Sequence, residues 1–126
     1  GLVYKKNDTI YIIEAAGSAV RLNTLEKFSK NTKKPMYIGR VKKKYVKLIP
    51  EAISFSLEQI GVPYDDDYVY DNGKYYCSEL IHFSFKAANG GSDLFHPNPM
   101  TYKDPDTGEL FPIWETYFLE LKHTIF

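Results

Sequence analysis

The sequence predicts an α+β fold in which an antiparallel sheet packs against helices. Runs of β-branched and aromatic residues crowd the first part of the chain, and later stretches repeat apolar residues at helical spacing. At 126 residues, 44% of them apolar, the chain has enough material for one ordinary core, and a single domain spanning 1–126 is expected.

Leu2 to Lys6 and Thr9 to Ala15 read as two strands joined at Asn7-Asp8, a hairpin pattern. Ser18 to Leu22 follows as a short third strand. Asn23 and Glu26 have the spacing of a capping box, which opens a short helix ending near Asn31. Met36 to Val41 has strand composition and runs into Lys42-Lys43-Lys44, read as a solvated strand end.

Pro50 suits a first helical turn, and Ala52, Ile53, Ser56, Leu57 and Ile60 recur at helical spacing until Gly61 and Pro63 stop the helix. Asp65-Asp66-Asp67 and Asp71-Asn72-Gly73 mark an irregular connection, with the three consecutive aspartates read as a solvated face. Cys77, Leu80, Ile81, Ser84 and Ala88 resume helical spacing, so Cys77 stands at a helix N-terminus. A last helix from about Pro112 places Trp114, Tyr117, Phe118 and Leu121 on one face, where core packing is the expected role.

Lys plus Arg equals Asp plus Glu, so net charge gives no reason to expect nucleic acid or an anionic membrane as partner. One cysteine excludes an intramolecular disulfide, and no stretch approaches the roughly 20 apolar residues of a membrane span. No cysteine pair or paired-histidine spacing suggests a metal, and no Gly-rich phosphate loop appears, so no cofactor is expected. Asp104-Pro105-Asp106-Thr107-Gly108 lacks the glycine placement and closing glutamate of a calcium loop and reads as a turn.

A helix N-terminus favours a thiolate at Cys77, because its unpaired N–H groups and dipole stabilise the anion. The backbone N–H groups of Cys77 and Ser78 are placed to receive an oxyanion in acyl transfer. A thiol nucleophile also needs a base and a group that orients it. His82, five residues on, does not share the face that i to i+3 or i+4 spacing would give, while His96 lies in a Pro-rich loop and His123 near the C-terminus.

Gly61-Val62-Pro63-Tyr64-Asp65 followed by Tyr76-Cys77-Ser78-Glu79-Leu80 resembles the YiiX/YebB-like branch of the NlpC/papain superfamily. Tyr11-Ile12-Ile13-Glu14-Ala15, Ile38-Gly39-Arg40-Val41 and Leu48-Ile49-Pro50-Glu51-Ala52 extend that resemblance over nearly the whole chain. It implies a circularly permuted papain-like fold, Cys77 as nucleophile and Glu14 as the carboxylate that orients a histidine. In the family pattern this histidine stands two residues before the glycine matched by Gly1, and a further segment follows the last helix; both ends of the domain are thus expected to continue.

Hairpin register agrees with the resemblance. A two-residue turn at Asn7-Asp8 pairs Lys6 with Thr9 and, by continuation, Gly1 with Glu14. The histidine position is then diagonal to Glu14, at roughly 7 Å between Cβ atoms, a gap two side chains bridge with a hydrogen bond.

The expected activity is hydrolysis of an amide, in a peptide or peptidoglycan-derived substrate, with Tyr64, Asp65, Tyr76 and Glu79 as substrate-binding candidates. First-turn Glu79 also suits the helix dipole without any catalytic duty. Related permuted enzymes act on lipid acyl groups, and a binding module that has lost its histidine is a third reading. The resemblance also suggests a bacterial envelope or secreted setting.

Overall fold

A computed structural model describes residues 1–120, and for Phe118 the backbone alone. Three strands form one antiparallel sheet in the order β1 (Leu2–Lys6), β2 (Thr9–Ala16), β3 (Ala19–Thr24). Lys6 pairs with Thr9 across the Asn7-Asp8 turn, where Asn7 takes a positive φ of 54°. Asn tolerates this left-handed conformation better than most residues, which is why the turn closes in two residues.

The β2 strand is buried on both faces. Ile13 and Ala15 join Val20 and Leu80 in the core, while Ile12 and Glu14, on the alternate face, are also buried. Ile53 and Leu57 of α2 (Ile49–Glu58) pack on the same core, and Leu80 belongs to α3 (Cys77–Ala88). Helices α2 and α3 pack against each other, and α3 also packs on β2.

The Gly61–Asp65 stretch connects sheet to helix. Gly61 N–H donates to Val20 C=O, Val20 N–H to Val62 C=O, and Tyr64 N–H to Ser18 C=O, at 2.9, 2.9 and 3.0 Å. Asp65 N–H then donates to Tyr75 C=O at 3.0 Å, two residues before Cys77. Gly61 has φ of +94°, a conformation that L side chains rarely adopt, so glycine is needed where the chain leaves α2 and turns along β3.

Several local expectations are corrected. Thr24, not Asn23, caps α1 (Leu25–Ser29), its hydroxyl accepting from Lys27 N–H at 3.2 Å, and the helix ends before Asn31. The stretch from Met36 to Val41 forms no strand; it has strand composition but no neighbouring strand to complete a ladder. A 3-10 helix (Lys43–Leu48) precedes α2, where Lys42-Lys43-Lys44 was read as a strand end.

Contacts divide the chain into two units, Gly1–His96 and Pro97–Phe126. The second holds an isolated bridge between Lys103 and Leu110 and helix α4 (Pro112–Glu120). Between the bridged residues Asp104 accepts from Asp106 N–H and Gly108 N–H, both at 2.8 Å, so this segment is a turn. Trp114 of α4 packs against Tyr102 and Tyr117; Leu121, assigned by sequence to the same helix face, lies outside the described residues. Among the described residues no helix is long and apolar enough to cross a membrane.

Candidate active site

Cys77 is the first residue of α3 and its thiol is exposed. Leu80 N–H makes the first helical bond, to Tyr76 C=O at 3.1 Å, so the N–H groups of Cys77 and Ser78 precede the hydrogen-bonded ladder. The Cys77 thiol and two backbone N–H groups outside the helical ladder therefore share one turn.

The approach to Cys77 is fixed by two buried carboxylates. Asp65 is 0% exposed; its Oδ2 accepts from Val69 N–H at 2.7 Å and its Oδ1 from Asp67 N–H at 3.2 Å. Glu79 is 2% exposed and accepts from Asp71 N–H at 2.8 Å and Tyr76 N–H at 3.4 Å. Burial raises the Glu79 carboxyl above its ordinary value, opposed by these two backbone hydrogen bonds. Both residues were expected at the substrate, and Asp65 on a solvated face. Asp65 is buried rather than solvated, and both carboxylates accept backbone N–H groups of the 65–76 loop.

Tyr64 and Tyr76, the other two substrate candidates, are linked through Tyr68. Tyr64 and Tyr68 meet edge to face at 6.3 Å, and Tyr68 lies 5.4 Å from Tyr76. Tyr68 has φ of 55°, so the backbone reverses to bring its ring between theirs.

Glu14 is 6% exposed on the sheet face opposite Ile13 and Ala15. Arg21 Nε and Asn23 Nδ2 both donate to its Oε1, at 2.9 and 3.2 Å. No hydrogen-bond partner for Oε2 occurs among the described residues. The carboxylate is thus held by one oxygen.

Sequence reasoning missed Arg21 and Asn23. The signal is their alternation on β3, since Glu14 pairs directly with Arg21 and the next same-face residue is Asn23. Assigning Asn23 to a helix cap concealed it.

Gly1 continues the register opposite Glu14. A Cβ there would meet Ile12 Cγ2 and lie 2.9 Å from Ile13 O and 3.3 Å from Glu14 Cβ, so strand β1 closes on β2 only with glycine at this point.

The contacts of His82 and His96 are with other groups. His82 Nε2 is 3.0 Å from Tyr70 Oη and 3.6 Å from Asp93 Oδ1, with its ring against Tyr70 and Phe83. His96 is near enough to Asp93 to lower that carboxyl electrostatically, after the larger effects of Lys86. His123 lies outside the described residues.

This arrangement matches a known family over almost its whole length. The profile of the permuted papain-like amidase enzymes, YaeF/YiiX, C92 family, matches residues 1–124. The chain belongs to this family. No curated protein matches it. A crystal structure of metalloprotein yiiX from Escherichia coli O157:H7 (DUF1105) is similar, with 21% identity and a TM-score of 0.56. The alignment covers 71% of this chain and 51% of that one, so the chain spans about half the length of its solved relative.

The likeness supports the α+β permuted papain-like fold. Although that relative is described as a metalloprotein, no group of three or more His, Cys, Asp or Glu side chains that could hold a metal is gathered among the described residues here.

Proposed function

We propose that this family member is a thiol hydrolase that cleaves an amide bond, in a peptide such as a cell-wall peptide, through a thioester on Cys77. The observation that carries the reading is the exposed Cys77 at the head of α3, where the N–H groups of Cys77 and Ser78 precede the helical ladder. The proposed base is a histidine that the family pattern sets two residues before Gly1, oriented by Glu14 Oε2.

In this mechanism the histidine takes the thiol proton and Sγ attacks the amide carbon. The oxyanion is received by the N–H groups of Cys77 and Ser78. The C–N bond then breaks, the histidine returns the proton to the leaving amine, and acyl-Cys77 forms. Water, deprotonated by the same histidine, attacks the thioester and releases the carboxylic acid and the free thiol. Tyr64, Tyr68 and Tyr76 offer aromatic surface for the substrate beside Cys77.

The test incubates the full-length protein with peptides and with phospholipids, and follows products and the mass of the Cys77 peptide. Amine release from peptides with a transient acyl adduct, both lost in Cys77→Ala, is expected. Acyl transfer from phospholipids alone would move the substrate class to lipids. Turnover retained in Cys77→Ala, or no histidine at the proposed position, would overturn the mechanism.

A further inference from the structure

The balanced net charge conceals a sharp separation. Nine of the 16 Lys and Arg residues fall between Lys27 and Lys47, with no Asp or Glu among them. Lys33, Lys34, Arg40, Lys42, Lys43, Lys44 and Lys47 are all exposed, and among the described residues none forms an ion pair.

The same segment exposes its apolar side chains. Tyr37 is 96% exposed, Ile38 78%, and Met36 and Val46 about half. From 31 to 40 every residue is exposed, and Met36 to Val41 forms neither strand nor helix. An apolar tip that folding leaves in water, flanked on both sides by cations that form no ion pair among the described residues, fits a surface with anionic groups outside and hydrocarbon beneath.

We infer that the segment from Lys33 to Lys47 docks this protein on an anionic lipid bilayer, with Met36, Tyr37 and Ile38 entering the headgroup region and the flanking cations contacting lipid phosphates. Polybasic segments gain affinity from each cation near an anionic leaflet, and exposed aromatic and aliphatic side chains gain from leaving water. A nucleic acid or other soluble polyanion would engage the cations equally but give Ile38 and Met36 no apolar environment. The membrane is therefore the occupant that accounts for both halves of the segment.

The inference is independent of the hydrolase reading, because no residue of the segment belongs to the Cys77 site. Its test is sedimentation of the full-length protein with phosphatidylcholine vesicles, with and without about a third phosphatidylglycerol. Binding to the anionic vesicles alone, weakened by salt, is expected.

A Lys42→Gln, Lys43→Gln, Lys44→Gln variant should lose on the order of a hundredfold in affinity. Tyr37→Ser with Ile38→Ser should lose roughly tenfold with every charge retained. Both variants change exposed side chains only, and circular dichroism checks that they fold. Absence of binding to anionic vesicles overturns the inference. So does an unchanged affinity in the Tyr37, Ile38 variant, which would mark the segment as a binder of soluble polyanions. Cys77→Ala should bind vesicles as the native protein does, so failure of either reading is separable from the other.

Discussion

Arg21 Nε donates to Glu14 Oε1 across the β2–β3 pair, and Asn23 Nδ2 donates to the same oxygen from two residues along the strand. Two donors on one oxygen fix the rotation of the carboxylate, and in the proposed mechanism Oε2 orients the base. Positioning by such a second layer sustains the geometry that a proton-transferring group needs.

Arg21→Met removes one tether while keeping much of the aliphatic stem. The Arg21 side chain is half-exposed, so the ion pair contributes at most about 1 kcal/mol and the melting temperature should move by only a few degrees. Turnover should fall by about tenfold or more, as a small misplacement of an orienting group costs far more in rate than in stability. The checking measurement is kcat beside thermal unfolding; equal proportional losses in both would show that Arg21 serves folding alone.

Gly1→Ala tests the closure of β1 on β2. Its Cβ meets the Ile12 side chain and the Ile13 carbonyl, and a backbone oxygen cannot swing aside as a side-chain end can. Overpacking of this kind costs about 1–3 kcal/mol, read by urea unfolding of the full-length protein. Gly1→Ser should cost at least as much.

Leu80→Ala opens a cavity where α3 meets the sheet. Leu80 is wholly buried among Ile13, Ala15 and Val20, so the loss should be about 2–5 kcal/mol by the same measurement. A loss well under that range would mean that the α3–β2 packing collapses around the gap.

How far these features were legible depends on their range along the chain. The β1–β2 hairpin, the α3 start at Cys77 and the glycine stop of α2 rest on neighbours close in sequence, and each was readable. The tether from Arg21 and Asn23 to Glu14 needs the register of β3, which a local cap pattern at Asn23 disguised. Asp65 stands in a run of three aspartates whose average environment is solvent, and only the fold separates it from Asp66. Likewise Met36 to Val41 carries strand propensity, but propensity without a pairing edge does not make a strand.

Glu79 predicts a pH dependence of stability. Burial raises its folded pKa above the unfolded value of about 4.3, so the folded state takes up this proton at higher pH than the unfolded chain does. Its contribution is full below the unfolded pKa and is lost as pH rises through the folded one. Glu79→Gln removes the titration and leaves one acceptor oxygen for the N–H groups of Asp71 and Tyr76, at a cost of about 1–2 kcal/mol. In urea unfolding followed from about pH 4 upward, the native protein's advantage over the variant should shrink as pH rises. An advantage that grows would show that the backbone hydrogen bonds outweigh burial.

Asp65 separates a substrate contact from a loop anchor. Its carboxylate accepts the N–H groups of Asp67 and Val69, while its own N–H donates to Tyr75 C=O, so one residue ties the loop to the segment entering α3. Asp65→Ala leaves two backbone donors without acceptors and should cost about 2–4 kcal/mol. Asp65→Asn keeps one acceptor but presents an NH2 group to the other donor, and should fall between. Because the loop sets where Cys77 begins its helix, turnover should decline in parallel with stability, through kcat rather than KM. If Asp65→Asn instead raises KM with unchanged unfolding, the carboxylate reaches substrate and the buried geometry opens during the reaction.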